Sequence, residues 1–428
     1  ELGVEKELGI TKEDIGKTIS VDVYNAACRE AVMRYTDSWR DLTKQMGYWV
    51  DMDEPYVTYT SKYIESVWWL LKQLYDKKLI YKGYTIQPYS PKAGTGLSSH
   101  ELNQPGCYQD VTDTTVTAQF ETLNETLPPQ LQDETALHIL AWTTTPWTLP
   151  SNTALTVGPS IDYVVVSTFN RYTHLPIRVL LAKDLIPKVF AKVFQQVEAN
   201  DDLLSYDKKG KNIPYLVTGK VKGATLVGIR YKQLWSDAPL PHNTPEQAFR
   251  VIAGDFVTTG EGTGIVHTAP TFGADDAVVA KKATPEVPPM LVLDEHEQLV
   301  PLVDLQGRFR KELGSLGGKY VKNEYYDDGQ APDKSVDVEI AIRLKKENKA
   351  FTVEKYVHSY PNCWRTDKPV LYYPLDSWFV KVSDNKERLV ALNNNINWKP
   401  KSTGEGRFGN WIANANDWNL SRSRFWGI

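Results

Sequence analysis

Cysteine is nearly absent from this chain. Its 428 residues hold only Cys28, Cys107 and Cys363, and no two stand close enough to form a C-x-x-C pair. A disulfide scaffold is therefore excluded, and a reducing, cytoplasmic setting is expected. No run of about 18 apolar residues is present, which argues against a membrane-spanning helix or any membrane partner. The start, Glu1-Leu2-Gly3, is acidic where a secretory leader is basic, and it lacks Met, so the chain reads as an internal piece of something longer. Charge of either sign is also not in excess. With 49 Lys+Arg against 53 Asp+Glu, the net charge is −4 and the pI near 6.1, which excludes a uniformly basic nucleic-acid coat but leaves room for a local patch. The seven histidines are scattered with no pair at i, i+4. Pro361-Asn362-Cys363-Trp364-Arg365 offers one thiol where a zinc knuckle needs two, so no metal is expected. No Gly-x-Ser-x-Gly elbow, P-loop or helix-opening G-x-G-x-x-G occurs.

What is present is enough apolar residue, 41%, for more than one core. Val32, Tyr35, Trp39, Leu42 and Met46 fall at helical spacing and predict one amphipathic helix over 31–46, closed by Gly47. A second helix is predicted over 61–78, with Ile64, Val67, Trp68, Leu71, Leu74 and Tyr75 directed to a core. After about residue 112 the texture changes to short β-branched runs at 137–142, 153–157, 163–167, 179–182, 215–218, 249–252 and 264–268, with a helix expected at 184–198. Helical spacing returns near Ser335 through Val338, Ile340, Ala341 and Leu344. The expected organisation is a helical flank over 1–114, a β-rich domain over 115–330 and a returning flank over 331–428, as when one domain is inserted into another.

Two segments carry residues suited to chemistry. The first is Trp142-Thr143-Thr144-Thr145-Pro146-Trp147-Thr148-Leu149-Pro150-Ser151-Asn152. Three threonine hydroxyls both donate and accept, and Pro146 biases Thr145 to an extended backbone, so the strip can meet ribose hydroxyls, a carbonyl or a water. It reads equally as a Thr-rich strand end turning at two prolines. The second is Gly260-Glu261-Gly262-Thr263-Gly264-Ile265-Val266-His267-Thr268-Ala269-Pro270, followed by Phe272-Gly273-Ala274-Asp275-Asp276. Its alternate glycines permit close backbone approach to a ligand. His267 is either a site residue or a hydrogen-bonded structural one. Asp275 is placed as a helix N-cap, which leaves Asp276 for a cationic ligand group. Lys208, Lys209, Lys211, Lys220 and Lys222 can meet phosphate or form a solvated hairpin.

Taken together, these segments resemble the isoleucyl-tRNA synthetase family. The strip at 142–152 looks like the isoleucyl form of the editing-site threonine motif; valyl and leucyl relatives carry Arg-Pro after two threonines. The stretch Gly262 to Asp276 looks like the opposite wall of the same pocket. The flanks add Cys28-Arg29-Glu30, Glu65-Ser66-Val67-Trp68-Trp69, His358-Ser359-Tyr360-Pro361-Asn362-Cys363-Trp364-Arg365, Gly406-Arg407-Phe408-Gly409-Asn410-Trp411 and Ser421-Arg422-Ser423-Arg424-Phe425-Trp426-Gly427. The resemblance implies an α/β fold with a β-barrel-like editing domain. It implies that Thr143, Thr144 and Thr145 contact the substrate ester and its water, that Trp147 and Asn152 help build the pocket, that His267 and Ala269 border the amino-acid side chain, and that Asp276 binds the α-ammonium. The implied reaction is deacylation of Val-tRNA(Ile), with valyl-adenylate a further substrate; the partner is tRNA(Ile) through its aminoacylated 3′ end, and the acting form a monomer. Editing would need no cofactor, whereas the parent enzyme uses ATP and magnesium. Neither His-Ile-Gly-His-like nor Lys-Met-Ser-Lys-Ser-like segments occur here, and Thr366-Asp367 after Arg365 departs from the family's zinc-bearing pattern. Two rival readings stay open: a valyl- or leucyl-type editing domain, against which Thr145-Pro146-Trp147 counts, and a non-catalytic RNA-binding module using some of the 13 Trp and 23 Tyr for stacking.

Overall fold

The computed structural model describes residues 1–426, so Gly427 of the last family-like segment lies outside the described residues. The chain divides into two compact units, one over 1–85, 93–96 and 375–428, the other over 86–92 and 97–374. Mixed helix and sheet make this an α/β architecture.

In the first unit, helices Val21–Met33 and Thr36–Gln45 replace the single helix expected over 31–46. The break falls where the Thr36 hydroxyl takes the Met33 carbonyl at 2.7 Å and Tyr35 leaves helical geometry, a local side-chain bond that competes with the helix ladder. Helix Ser61–Asp76 forms where predicted. Its apolar face does not enter a core, however: Trp68, Trp69, Leu70 and Tyr75 are exposed, as are Val32, Tyr35, Trp39, Leu42 and Met46. Helical periodicity identifies an apolar face, but the pattern alone does not say what covers it. A buried centre is built instead by Val4, Ile15, Tyr24 and Cys28, where Glu5 accepts from Tyr24 Oη at 3.0 Å and Arg424 donates to Glu1 at 2.9 Å.

The second unit is organised by a ten-stranded sheet. In chain order its strands are β1 (Tyr108–Glu121), β2 (Leu137–Thr143), β3 (Ala154–Val157), β4 (Asp162–Phe169), β5 (Pro176–Ala182), β6 (Phe194–Gln196), β7 (Ile213–Lys222), β8 (Arg250–Ala253), β9 (Ile265–Thr268) and β10 (Ala350–Pro361). The order is β8-β3-β9-β2-β5-β4-β7-β6, with β1 on the other edge of β2 and β10 beyond it. The ends β8 and β6 do not pair among the described residues, so the barrel-like sheet is not a closed barrel. One edge of β2 is shared, with β5 parallel to its first half through Leu137↔Arg178 and β9 parallel to its last through Trp142↔Val266. Single bridges from Arg230 to Arg250 of β8 and from Tyr231 to Thr122, just past β1, add to this branched sheet without forming a further named strand. The expected domain range 115–330 lies within this unit, whose sheet also takes in all of β1 and β10.

Alternation sets the core. Val164 and Val166, Ile177, Val179 and Leu181, and Ile213 and Tyr215 repeat at period two and bury one face with Leu140, Phe190, Phe194 and Phe351. Each such side chain contributes about 1.5–3 kcal/mol on leaving water. The helix expected at 184–198 is reduced to one turn, Ile186–Val189, after which Lys192 takes a left-handed backbone and Phe194–Gln196 joins the sheet beside β7. Burying Phe194, stacked on Phe351 at 5.4 Å, outweighs continuing a helix. Helix α1 (Ala274–Lys282) lays Val279 and Ala280 against Ala154 and Ile252, and α2 (Val336–Lys346) opens with Ser335 capping Val338 N–H at 3.4 Å.

Candidate functional site

The two segments singled out in the sequence come together because β2 and β9 are parallel neighbours. Trp142 faces Val266 in register, so both chains leave the sheet at the same end. The strip 143–145 therefore emerges beside 267–269, one inter-strand spacing of about 4.8 Å away. Beyond β2, Thr143 Oγ1 accepts from the Thr145 amide at 3.0 Å and lies 3.3 Å from the Thr145 hydroxyl, a local turn that throws Thr144 outward. Thr144 is half-exposed, and its hydroxyl makes no hydrogen bond among the described residues. Pro146 then opens a tight helical turn, Pro146–Ser151, all of it buried.

His267 sits between the strip and the following segment. Tyr231 Oη donates to Asn152 Oδ1 at 2.7 Å, and Asn152 Nδ2 donates to the Ala154 carbonyl at 2.8 Å and meets His267 Nδ1 at 2.8 Å. With a donor facing Nδ1, the imidazole proton belongs on Nε2, which points to Thr148 Oγ1 at 3.0 Å. The Thr148 hydroxyl in turn donates to the Thr145 carbonyl at 2.8 Å. The result is a directed chain from Tyr231 to the threonine strip in which both ring nitrogens are occupied. Burial pulls the His267 pKa down to about 4, so the ring is neutral and is not placed to take a proton from water.

Asp276 behaves in the opposite sense. Gly273, not Asp275, is the N-cap of α1, which puts Asp275 and Asp276 in its first turn. Two amides, Phe272 and Gly273, converge on the Ala269 carbonyl at 2.9 and 3.1 Å and close the loop tightly enough that the helix starts two residues early. Asp276 Oδ2 accepts the Ala269 N–H at 2.8 Å, folding its carboxyl inward although the residue is part-exposed. Burial pushes its pKa up to about 6, opposed by the Ala269 N–H and aided by Asp275. Such a carboxylate lacks a cationic partner and gains most from receiving one. Ala269 is buried beside it, and the Trp147 ring meets Phe272 edge-on at 5.0 Å with its indole N–H buried and unpartnered among the described residues.

The comparisons with known proteins bear on the whole chain. The model of the tRNA synthetases class I (I, L, M and V) matches residues 1–428. The chain belongs to this class I synthetase family. It is 59% identical over 438 residues to an isoleucine–tRNA ligase of Cytophaga hutchinsonii and 57% identical over 444 residues to one of Bacteroides fragilis, in each case over 100% of this chain and 38% of the relative. The chain thus spans well under half the length of these relatives. Looser likeness extends to the crystal structure of the P. knowlesi cytosolic leucyl-tRNA synthetase editing domain, at 13% identity and TM-score 0.31, over 60% of this chain and 98% of that one.

Within this family member the pairing of β2 with β9 places Thr143 and Thr145 on one segment beside His267 and Ala269 on the next, with Asn152 bonded to His267 and Asp276 to the Ala269 N–H. Gly264 serves packing: a Cβ there, at φ +73°, would fall on the Ala182 side chain, so its close approach is to β5. Thr148 and Tyr231 were not singled out by sequence reasoning. Thr148 stood inside the quoted strip, and only the fold reveals its bond to His267; Tyr231 carried no local signal. Lys220 and Lys222 are paired with Asp162 at 3.4 and 2.9 Å, which leaves Lys208, Lys209 and Lys211 as the solvated part of that basic stretch. All three cysteines are free and buried. Among the described residues no helix is long and apolar enough to cross a membrane, and no group of three or more His, Cys, Asp or Glu is placed to hold a metal ion.

Proposed function

We propose that the second unit is an editing hydrolase that deacylates Val-tRNA(Ile), its editing domain centred on 115–330, and that valyl-adenylate is a further substrate. The observation that carries this reading is the inward-folded carboxylate of Asp276, cation-free among the described residues, in the segment that follows β9, whose parallel neighbour β2 runs into the hydroxyl strip 143–145. In this reading Asp276 holds the α-ammonium of valine, Trp147 and Asn152 shape the cleft, and His267 and Ala269 border the side chain. Water, ordered by the hydroxyls of Thr143, Thr144 and Thr145, adds to the ester carbonyl carbon; the bond to the terminal ribose oxygen breaks, and that oxygen takes the proton. No side chain here is poised as a general base, so the rate enhancement is one of positioning. The chemical need is strong, because one methylene is worth only about 1–3 kcal/mol in a binding pocket, isoleucine against valine being the standard case of that limit. As part of a parent ligase acting in the cytoplasm on isoleucine, ATP, magnesium and tRNA(Ile), the chain would act as a monomeric proofreader.

The test is to incubate the purified chain with Val-tRNA(Ile) and with Ile-tRNA(Ile) and follow release of each amino acid. Rapid release of valine with isoleucine spared is expected. Binding of either tRNA without turnover would overturn the reading in favour of an RNA-binding module, and equal release of both would remove the isoleucyl specificity.

A further inference from the structure

The turn Pro146–Ser151 has an amide to account for. Pro146 has no N–H, and the Thr148 N–H is bonded to the Thr145 carbonyl at 3.0 Å. The Trp147 N–H is then the donor at the start of the turn that needs a partner from outside it, as buried amides do. It donates to Asp337 Oδ1 at 2.9 Å, a residue 190 positions away in the first turn of α2. Asp337 is 4% exposed. Behind it, its second oxygen lies 3.9 Å from Lys322 Nζ, and Lys322 also pairs with Asp113 at 2.9 Å and stands 4.8 Å from the centre of the Tyr360 ring. His358 Nε2 approaches the same Asp113 oxygen at 3.2 Å. Burial works against the charge on Lys322, but Tyr360, Asp337 and Asp113 together hold it firmly protonated.

Keeping a buried cation and two carboxylates is costly, and a core that needed only packing would do as well with apolar side chains. What the arrangement supplies is a fixed acceptor for one amide. That amide belongs to the residue whose ring meets Phe272, the start of the loop that ends at Asp276. We propose that Asp337, backed by Lys322, is a positioning residue of the deacylation site, fixing the Trp147 amide and through it the turn that presents Thr143, Thr144 and Thr145 to the ester. The proposal rests on the deacylase reading given above. Asp337 itself touches no substrate; it acts through the backbone.

The experiment measures kcat and KM separately for Val-tRNA(Ile) deacylation by the full chain, wild type and variants, at equal folded concentration. Asp337→Leu, which has no acceptor, should lower kcat by about 10- to 100-fold with KM changed less than about twofold, since misplacement of ångström size costs rate more than binding. Asp337→Asn, whose amide oxygen still accepts the Trp147 N–H, should recover most of that kcat, a rescue that a merely structural role for the charge would not produce. If Asp337→Leu does not fold, Asp337→Ser takes its place, being too short to reach the amide. A wild-type chain that releases valine alongside a folded Asp337→Leu or Asp337→Ser chain of equal kcat overturns this proposal alone, as does a loss confined to KM or an equal loss in Asp337→Asn. A wild-type chain that releases no valine overturns the deacylase reading, and the proposal with it.

Discussion

Asp276→Asn separates what the carboxylate does for the site from what it does to the fold. Asparagine keeps an oxygen to accept the Ala269 N–H, now 2.8 Å from Asp276 Oδ2, and changes only the charge. In the folded chain burial raises the Asp276 pKa from 3.8 to about 6. Between those two values the folded state holds a proton that the unfolded state has released, so stability falls as pH rises from about 4 to about 6 and is flat above. A shift of about two units corresponds to about 3 kcal/mol at most, and to about 2 kcal/mol once solvent screening of a part-exposed residue is allowed for. The asparagine variant avoids this penalty. Urea unfolding of both chains at pH 4, 5, 6 and 7 should show equal stability at pH 4 and the variant more stable by about 2 kcal/mol at pH 7. Deacylation of Val-tRNA(Ile) should move the other way, falling about 100-fold in the variant for want of an ammonium partner. In the wild type, kcat/KM should rise with pH through about 6 as the carboxylate ionises. A stability difference that does not change with pH would refute the desolvation argument, and undiminished deacylation by a folded variant would remove Asp276 from the site.

His267→Ala should destabilise the chain by about 2–4 kcal/mol, because it opens a cavity and leaves Asn152 Nδ2 short of one acceptor; it should also raise hydrolysis of Ile-tRNA(Ile) relative to Val-tRNA(Ile), and an unchanged ratio at equal folded concentration would make His267 structural only. The purified chain should show no isoleucine-dependent exchange between pyrophosphate and ATP, since both ATP signature segments are missing; measurable exchange would contradict this. Treatment with a strong chelator should leave deacylation intact, whereas loss restored by zinc alone would show a metal requirement.

Much of the site was legible because its residues are locally unusual. Three threonines before a proline and a histidine closing an apolar strand are visible without a fold, and short β-branched runs located β2, β3, β4, β5, β8 and β9 to within a few residues. The parallel pairing of β2 with β9, which makes the two motifs neighbours, was not legible. The two strands are more than 100 residues apart and carry no marker of partnership. The same holds for Asp337, which carried no signal in the sequence and meets the Trp147 N–H only in the fold. Local competition escaped as well. A single hydroxyl, Thr36, splits a helix that the apolar spacing treats as continuous, and at Phe194 the gain from entering an aromatic cluster overrides helical spacing. The apolar spacing over 61–78 marked a helix, yet Trp68 and Tyr75, which that spacing directed to a core, stand exposed.

Burial acts on His267 and Asp276 alike, and it is the difference in their partners that divides their roles. The histidine loses its charge and has both nitrogens satisfied by Asn152 and Thr148, so it presents a neutral surface with no proton to exchange. The aspartate has one amide partner and no cation, so it is left under-compensated at the mouth of the turn. An under-compensated carboxylate destabilises the empty chain, and on the deacylase reading that energy is recovered when the substrate's ammonium arrives, which would tie the site's electrostatic gain to an α-amino group. Nothing in that gain distinguishes valine from isoleucine. On the deacylase reading discrimination has to come from shape, and four consecutive hydrogen bonds from Tyr231 to the Thr145 carbonyl would stiffen His267 enough to refuse a methylene through overlap where a compliant pocket would accept it.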